Sequence, residues 1–188
     1  MAGFGDNKKS KKNLIKNFID DNLKEQIIYK AFKSHSEGNI SEATKYYQSF
    51  INKGFSDAKV FSNFGVLLQG LGKLKEAEFY ARKAIELNPN YPAAYSNLGG
   101  ILKDLRKLQE AELFTRKAIE FNPDFALAHL NLGLILKDLG KLQEAELSTR
   151  KAIELNPDYA LAHLNLGRIL KDLGKLQEAE LSTRKAIE

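Results

Sequence analysis

A 29-residue segment of this chain, Ala126–Glu154, recurs 34 residues later as Ala160–Glu188, with one difference, Leu134 against Arg168. The same frame runs backward through 92–125 and 58–91, and more faintly through 24–57. A fixed period of this length marks a stack of like units, each covering its neighbour, rather than one core around one active site. The repeat therefore overrides the single domain that a length of 188 residues would otherwise suggest.

Each unit reads as two helices joined by a turn. In 126–159 the first helix is expected over roughly Ala126–Leu139 and the second over about Lys141–Leu155. Gly140 marks the turn between them, because glycine tolerates left-handed backbone angles. Asn156-Pro157-Asp158 ends the second helix: Pro157 lacks an amide hydrogen and disfavours helix at Asn156. Asp158 is expected to help cap the next helix. The break recurs at Asn88-Pro89-Asn90 and Asn122-Pro123-Asp124. Helices of about 14 residues are roughly 21 Å long and marginal alone, so stacking must stabilise them.

Gly65, Gly99, Gly133 and Gly167 fall inside first helices, where glycine costs about 1 kcal/mol relative to alanine. Their strict spacing implies close approach of a partner helix. Ala77, Ala111, Ala145 and Ala179 fit the same reading, as do Ala84, Ala118, Ala152 and Ala186.

Outside the repeats, residues 1–13 read as a disordered basic tail and 14–23 as a short leading helix. In that helix Leu14, Ile15, Phe18 and Ile19 sit at helical spacing, and Asp20 or Asp21 could cap a following helix. The repeats then divide as 24–57 (divergent), 58–91, 92–125, 126–159 and 160–188 (truncated).

Charge and composition narrow the function. The net charge of +5 is thinly spread, with one dense run at Lys8, Lys9, Lys11 and Lys12, so a nucleic-acid partner is not expected. No apolar run approaches membrane-spanning length, and the first residues lack the apolar core of a secretory signal. The absence of cysteine excludes disulfides and thiol chemistry and fits a cytoplasmic setting. No phosphate loop, nucleophile–base set or metal-ligand spacing stands out, so no enzyme, cofactor or metal is expected. His129 and His163 lie one repeat apart and read as packing rings rather than ligands.

These residues resemble the tetratricopeptide repeat. In the third unit its pattern appears as Tyr95, Leu98, Gly99, Leu102, Ala111, Thr115, Ala118 and Pro123. The match is strong over 58–188 and weak over 24–57. His129 and His163 replace one usual aromatic, and Thr115, Thr149 and Thr183 another; Ala31 and Phe55 replace the glycine and proline of the first unit. The resemblance implies an all-α, right-handed solenoid of about five helix-turn-helix repeats whose first helices line a concave groove for peptides or proteins.

By position in that family, the groove contains a ladder of Asn63, Asn97, Asn131 and Asn165, similar to that of protein O-GlcNAc transferases. A side-chain amide both donates and accepts, so it can pair with a peptide backbone or simply face water. Four such bonds at about 1 kcal/mol each cannot make a useful complex alone. Leu127, Leu130, Leu134, Leu161 and Leu164 would add an apolar strip beside the ladder, or pack between first helices; burying one leucine gives about 1.5–3 kcal/mol. Arg168 and the pairs Lys103/Asp104, Lys137/Asp138 and Lys171/Asp172 complete the mapped groove, with Asp138 and Asp172 expected to offset Lys137 and Lys171. A chaperone-tail clamp would need Lys and Asn at Ser62 and Val66, then Asn97, then Lys and Arg at Leu127 and Asn131; only Asn97 is present, so that specialisation is not expected.

The expected function is a non-catalytic scaffold holding a peptide or protein. Two alternatives stay open. One is the recognition arm of a larger transferase continuing beyond Glu188. The other is self-assembly through the last repeat, whose apolar face the chain leaves uncapped.

Overall fold

The structure, a computed structural model, describes the backbone of residues 5–187 and the side chains of Asp20–Ile187. Ten helices occur among the described residues: α1 (Gly5–Ser36), α2 (Ile40–Asn52), α3 (Ala58–Gly70), α4 (Leu74–Leu87), α5 (Pro92–Asp104), α6 (Leu108–Phe121), α7 (Ala126–Asp138), α8 (Leu142–Leu155), α9 (Ala160–Asp172) and α10 (Leu176–Lys185). No strand accompanies them in that range, so the fold is an all-α repeat array.

The chain forms two compact units, one ending at Val60 and one beginning at Phe61. In the first, α1 packs on α2. Ile27 and Ala31 are buried, as are Ala43, Tyr47 and Phe50 across from them. Ala31, the counterpart of the later glycines, is almost wholly enclosed. His35 Nδ1 lies 3.0 Å from the Tyr47 hydroxyl. Burial pushes the Tyr47 phenol above, and the His35 imidazole below, its ordinary pKa.

Helix α1 differs from expectation. It runs unbroken from Gly5, through the expected tail, the expected leading helix and the first repeat. Asp20 and Asp21 therefore lie within a helix rather than capping one. The physical reason is that residues 6–36 contain neither glycine nor proline, and the lysines are good helix formers. Residues 1–4, Glu188 and the side chains of Leu14, Ile15, Phe18 and Ile19 lie outside the described residues.

In the second unit, helices pair as α5–α6, α7–α8 and α9–α10, and each pair meets the next through α6–α7 and α8–α9. The first helices also touch their successors, α5 on α7 and α7 on α9. No comparable packing joins α6 to α8 or α8 to α10 among the described residues. Long charged side chains bridge these second helices instead: Arg116 reaches Glu112 and Glu144, and Lys141 also reaches Glu112. First helices thus pack more closely on one another than second helices do within this unit.

The glycines sit where the helices cross. A Cβ on Gly133 would meet Thr149 Oγ1 in collision and Ala145 O at 3.3 Å; Gly99 and Thr115 repeat the relation. Gly65 faces Ala81 instead, and is less crowded. At the turns within repeats, Gly72, Gly140 and Gly174 have φ of 73°, 77° and 77°, while Arg106 takes the same place with φ 63°.

Asp158 does not cap α9: the N-cap residue is Tyr159, with no side-chain capping bond. In the corresponding earlier turns the asparagines make the local bond, Asn88 Oδ1 accepting from Asn90 N–H and Asn122 Oδ1 from Asp124 N–H, both at 3.2 Å. An asparagine side chain can reach a backbone amide two residues on, which closes the turn locally.

Candidate functional site: the first-helix groove

The residues assigned by position to the groove lie on α5, α7 and α9, with α3 contributing from Phe61 onward. The asparagine row lies across the junctions between first helices. Asn97 Nδ2 donates to Ser62 Oγ at 2.9 Å, and Asn131 Nδ2 donates to Ser96 Oγ at 3.1 Å. Each amide is therefore oriented by a hydroxyl of the preceding repeat. Asn131 Nδ2 also lies 3.4 Å from the Ser96 carbonyl, to which it donates. In both residues the Oδ1 is left to accept.

Asn165 departs from this pattern. The residue in the place of the orienting serine is Leu130, whose side chain has no acceptor, and Asn165 Nδ2 is buried without a partner. Asn165 is only 3% exposed. It is closed off from a groove ligand in this arrangement. Asn63 and its counterparts Asn97 and Asn131 are half-buried.

The leucine strip also divides. Leu130, at 1% exposure, belongs to the core between repeats with Ala152 and Ala162, not to an accessible groove surface. Leu134 packs partly against the same cluster. Leu127 and Leu164 are half-buried, and Leu161 is 49% exposed. The variable row of Val66, Gly100, Leu134 and Arg168 adjoins the ladder: a Cβ on Gly100 would lie 3.7 Å from Gln69 Nε2 and 4.0 Å from Asn131 Nδ2. Arg168 is exposed.

The charged row ties one first helix to the next. Gln69 Nε2 donates to Asp104 at 2.7 Å, and Lys103 lies 3.0 Å from the same carboxylate. Asp172 pairs with Lys137 of the preceding repeat at 3.8 Å rather than with its neighbour Lys171, and Asp138 pairs with Arg106 at 3.8 Å. The expectation that Asp138 and Asp172 offset Lys137 and Lys171 is corrected: each carboxylate pairs with a basic residue of the preceding repeat. These pairs are long or exposed and contribute little stability.

The serines that orient the ladder lie within the mapped groove, but their role is not evident from a single repeat. The signal is in the spacing: Ser62 and Ser96 each precede an asparagine by 35 residues. The two histidine rings are each hydrogen-bonded to the backbone of the preceding turn. His129 and His163 each donate from Nε2 to a proline carbonyl at 2.8 Å, that of Pro123 and Pro157 respectively. Among the described residues no group of three His, Asp or Glu is placed to hold a metal ion.

Family models of the tetratricopeptide repeat match residues 126–159, 58–91, 80–112 and 149–180, together more than half of the chain. No match to a curated protein was found. Similar solved structures include MamA residues 41-end from Desulfovibrio magneticus RS-1, at 21% identity and TM-score 0.71, with 87% of this chain and 93% of that one covered. PilF of Pseudomonas aeruginosa is similar at 20% identity and TM-score 0.77, with 89% and 76% covered. A thermophilic repeat protein of Thermus thermophilus is similar at 20% identity and TM-score 0.77, with 87% and 90% covered. At this identity the likenesses bear on the fold alone.

Proposed function

The chain belongs to the tetratricopeptide repeat family, a scaffold for protein interaction, and from that premise we propose that its first-helix groove binds an extended peptide segment of a partner protein. The observation that carries this reading is the orientation of Asn97 and Asn131 by Ser62 and Ser96. A fixed amide loses little freedom when it accepts from a peptide N–H, so the bond costs less ordering on binding. The two amides lie one repeat apart and read main chain, which every peptide offers.

Affinity comes from apolar anchors beside them. Leu127, Leu161 and Leu164 retain exposed surface, and covering one fully contributes about 1.5–3 kcal/mol, more than one amide bond. Lys171, for which no ion pair occurs among the described residues, and Arg168 would favour an acidic residue in the segment near the last repeat. The chain acts in this reading as a binding module and not as a catalyst. No helix among the described residues is long and apolar enough to cross a membrane, and the lack of cysteine fits work in the cytoplasm.

Peptides selected from a random library on the purified chain provide the test. Calorimetry on the N97A/N131A and L161S variants should show each weakening the selected peptides by about tenfold. Peptides that bind both variants as tightly as the parent chain would place the site elsewhere.

A further inference from the structure

A cleft of about 390 Å³ opens among α6, α7 and α8, lined by Arg116, Ile119, Glu120, His129, Leu132 and Ser148. A second, of about 350 Å³, opens among α8, α9 and α10. Its lining includes Arg150, Ile153, Glu154, His163, Leu166 and Ser182, each of them 34 residues beyond its counterpart. The two are one structural feature, repeated.

The same place one repeat earlier is filled. There the counterparts of His129 and Ser148 are Tyr95 and Phe114. The two rings stack with centroids 6.1 Å apart and planes at 27°. Ile85 packs in the same cluster. The Arg82 guanidinium lies 5.3 Å from the Phe114 ring centre, within cation–π range. Replacing phenylalanine by serine, and tyrosine by histidine, removes the ring and part of its platform, and the clefts are what remain.

The rim is preserved. Arg82 bridges Glu78 and Glu110 above its ring. Arg116 bridges Glu112 and Glu144 at 2.8 and 3.0 Å, and Arg150 bridges Glu146 and Glu178 at 2.9 and 2.7 Å. Each guanidinium is held in the same posture with or without a ring beneath it. Exposed Leu113, Leu147 and Leu181 run along the same second helices and widen the apolar surface.

We propose that these clefts are receptor sites for aromatic side chains of a partner polypeptide, each taking one phenylalanine or tyrosine ring in the place that Phe114 fills from within the chain. The fit rests on the internal occupant: its ring is flanked by Arg, Ile and an aromatic platform, and the open clefts keep the Arg, the Ile and a flat imidazole. The guanidinium, held in place by its two glutamates, complements the negative face of an aromatic ring and offers an aliphatic side chain no such gain. This surface is separate from the first-helix groove, and neither reading depends on the other.

The test is a titration of the ¹⁵N-labelled chain with N-acetylphenylalaninamide, using N-acetylleucinamide as the aliphatic control. The expected result is saturable shifts of amides around His129, Ser148, His163 and Ser182 with the aromatic probe, and weaker shifts with leucine. S148F/S182F, in which the chain supplies its own rings, should abolish these shifts. R116Q/R150Q leaves the packed core untouched and should weaken binding about threefold. N97A/N131A should leave it unchanged. Equal response to the two probes, no saturable response, or shifts that persist in S148F/S182F with its helical circular dichroism intact would each overturn the proposal. Should S148F/S182F fail to fold, undiminished binding by R116Q/R150Q would overturn it.

Discussion

Asn131 donates its side-chain amide to the hydroxyl of Ser96 across the junction between α7 and α5. Asn97 and Ser62 repeat the bond, but Asn165 meets Leu130 in the series and its buried Nδ2 is left without an acceptor. One change of side chain, serine to leucine, thus separates a satisfied amide from an orphaned one.

A stability contrast follows from that relationship. Leaving a buried donor unpaired costs about 1–3 kcal/mol, whereas a made hydrogen bond contributes about 1 kcal/mol. Asn165→Leu should therefore raise stability by about 1 kcal/mol, since leucine has nearly the same shape and needs no partner. Asn131→Leu should lower it by about as much, because it strands the Ser96 hydroxyl. Urea unfolding of the two variants beside the parent measures both signs; equal effects of the two changes would contradict the pairing.

Arg106 occupies a turn position that Gly72, Gly140 and Gly174 fill in the other repeats of the second unit, and it holds φ at 63°. A side chain in the left-handed region costs about 1 kcal/mol or more. Its ion pair with Asp138 is exposed and long at 3.8 Å, so losing it matters little. Arg106→Gly should stabilise by about 1 kcal/mol, a rise of about 3 °C in melting temperature. A lower melting temperature would mean that the Asp138 contact outweighs the strain.

Gly133 and Thr149 are matched at the crossing of α7 and α8. A methyl on Gly133 would strike Thr149 Oγ1 and press on the Ala145 carbonyl at 3.3 Å. Gly133→Ala should cost about 1–3 kcal/mol. Thr149→Ala loses the 2.8 Å bond from Oγ1 to Ala145 O and should cost about 1 kcal/mol alone. The double variant should recover part of the Gly133→Ala loss, because residues in contact do not add. Gly65→Ala, facing Ala81, should cost less than Gly133→Ala. Chemical denaturation of the four proteins checks the ordering.

Glu78, Glu112 and Glu146 each receive an arginine four residues on and a lysine 29 residues on. Burial alone would raise the Glu112 carboxyl, but hydrogen bonds from Lys141 and Arg116 more than offset it and hold it below the ordinary value. Glu78 behaves the same way with Lys107 and Arg82. For Glu146 the hydrogen bond from Lys175 is the leading cause, opposed by burial and reinforced by Arg150. A pKa depressed by folding stabilises above the unfolded value, about 4.3, and that contribution is lost as pH falls through the folded value. Stability should hold from neutral pH to about 5 and then decline. E78Q/E112Q/E146Q should be less stable at neutral pH, by about 1 kcal/mol or less per site, and should show a shallower acid decline. Thermal melts from pH 7 to 3 test this; an unchanged acid slope would remove the carboxylates from the account.

The sequence by itself determined the period, the helical pairs, the turn at Gly140, the proline breaks and the close approach at Gly99 and Gly133. These signals are local or strictly periodic, and backbone preference and helix spacing carry them directly. It also placed the asparagine and leucine rows on the first helices at one position per repeat. Only the tertiary structure decided which members of those rows are free. Leu130 and Leu164 hold the same position in successive repeats, yet one is sealed in the core and the other is half-buried. Asn131 and Asn165 are identical residues in near-identical segments, and differ because their partners, Ser96 and Leu130, come from the repeat before. The clefts beside Ser148 and Ser182 exist because serine stands where Phe114 supplies a ring one repeat earlier. Each of these outcomes depends on side chains from different helices meeting across an interface, and a pattern read along one helix does not contain that meeting.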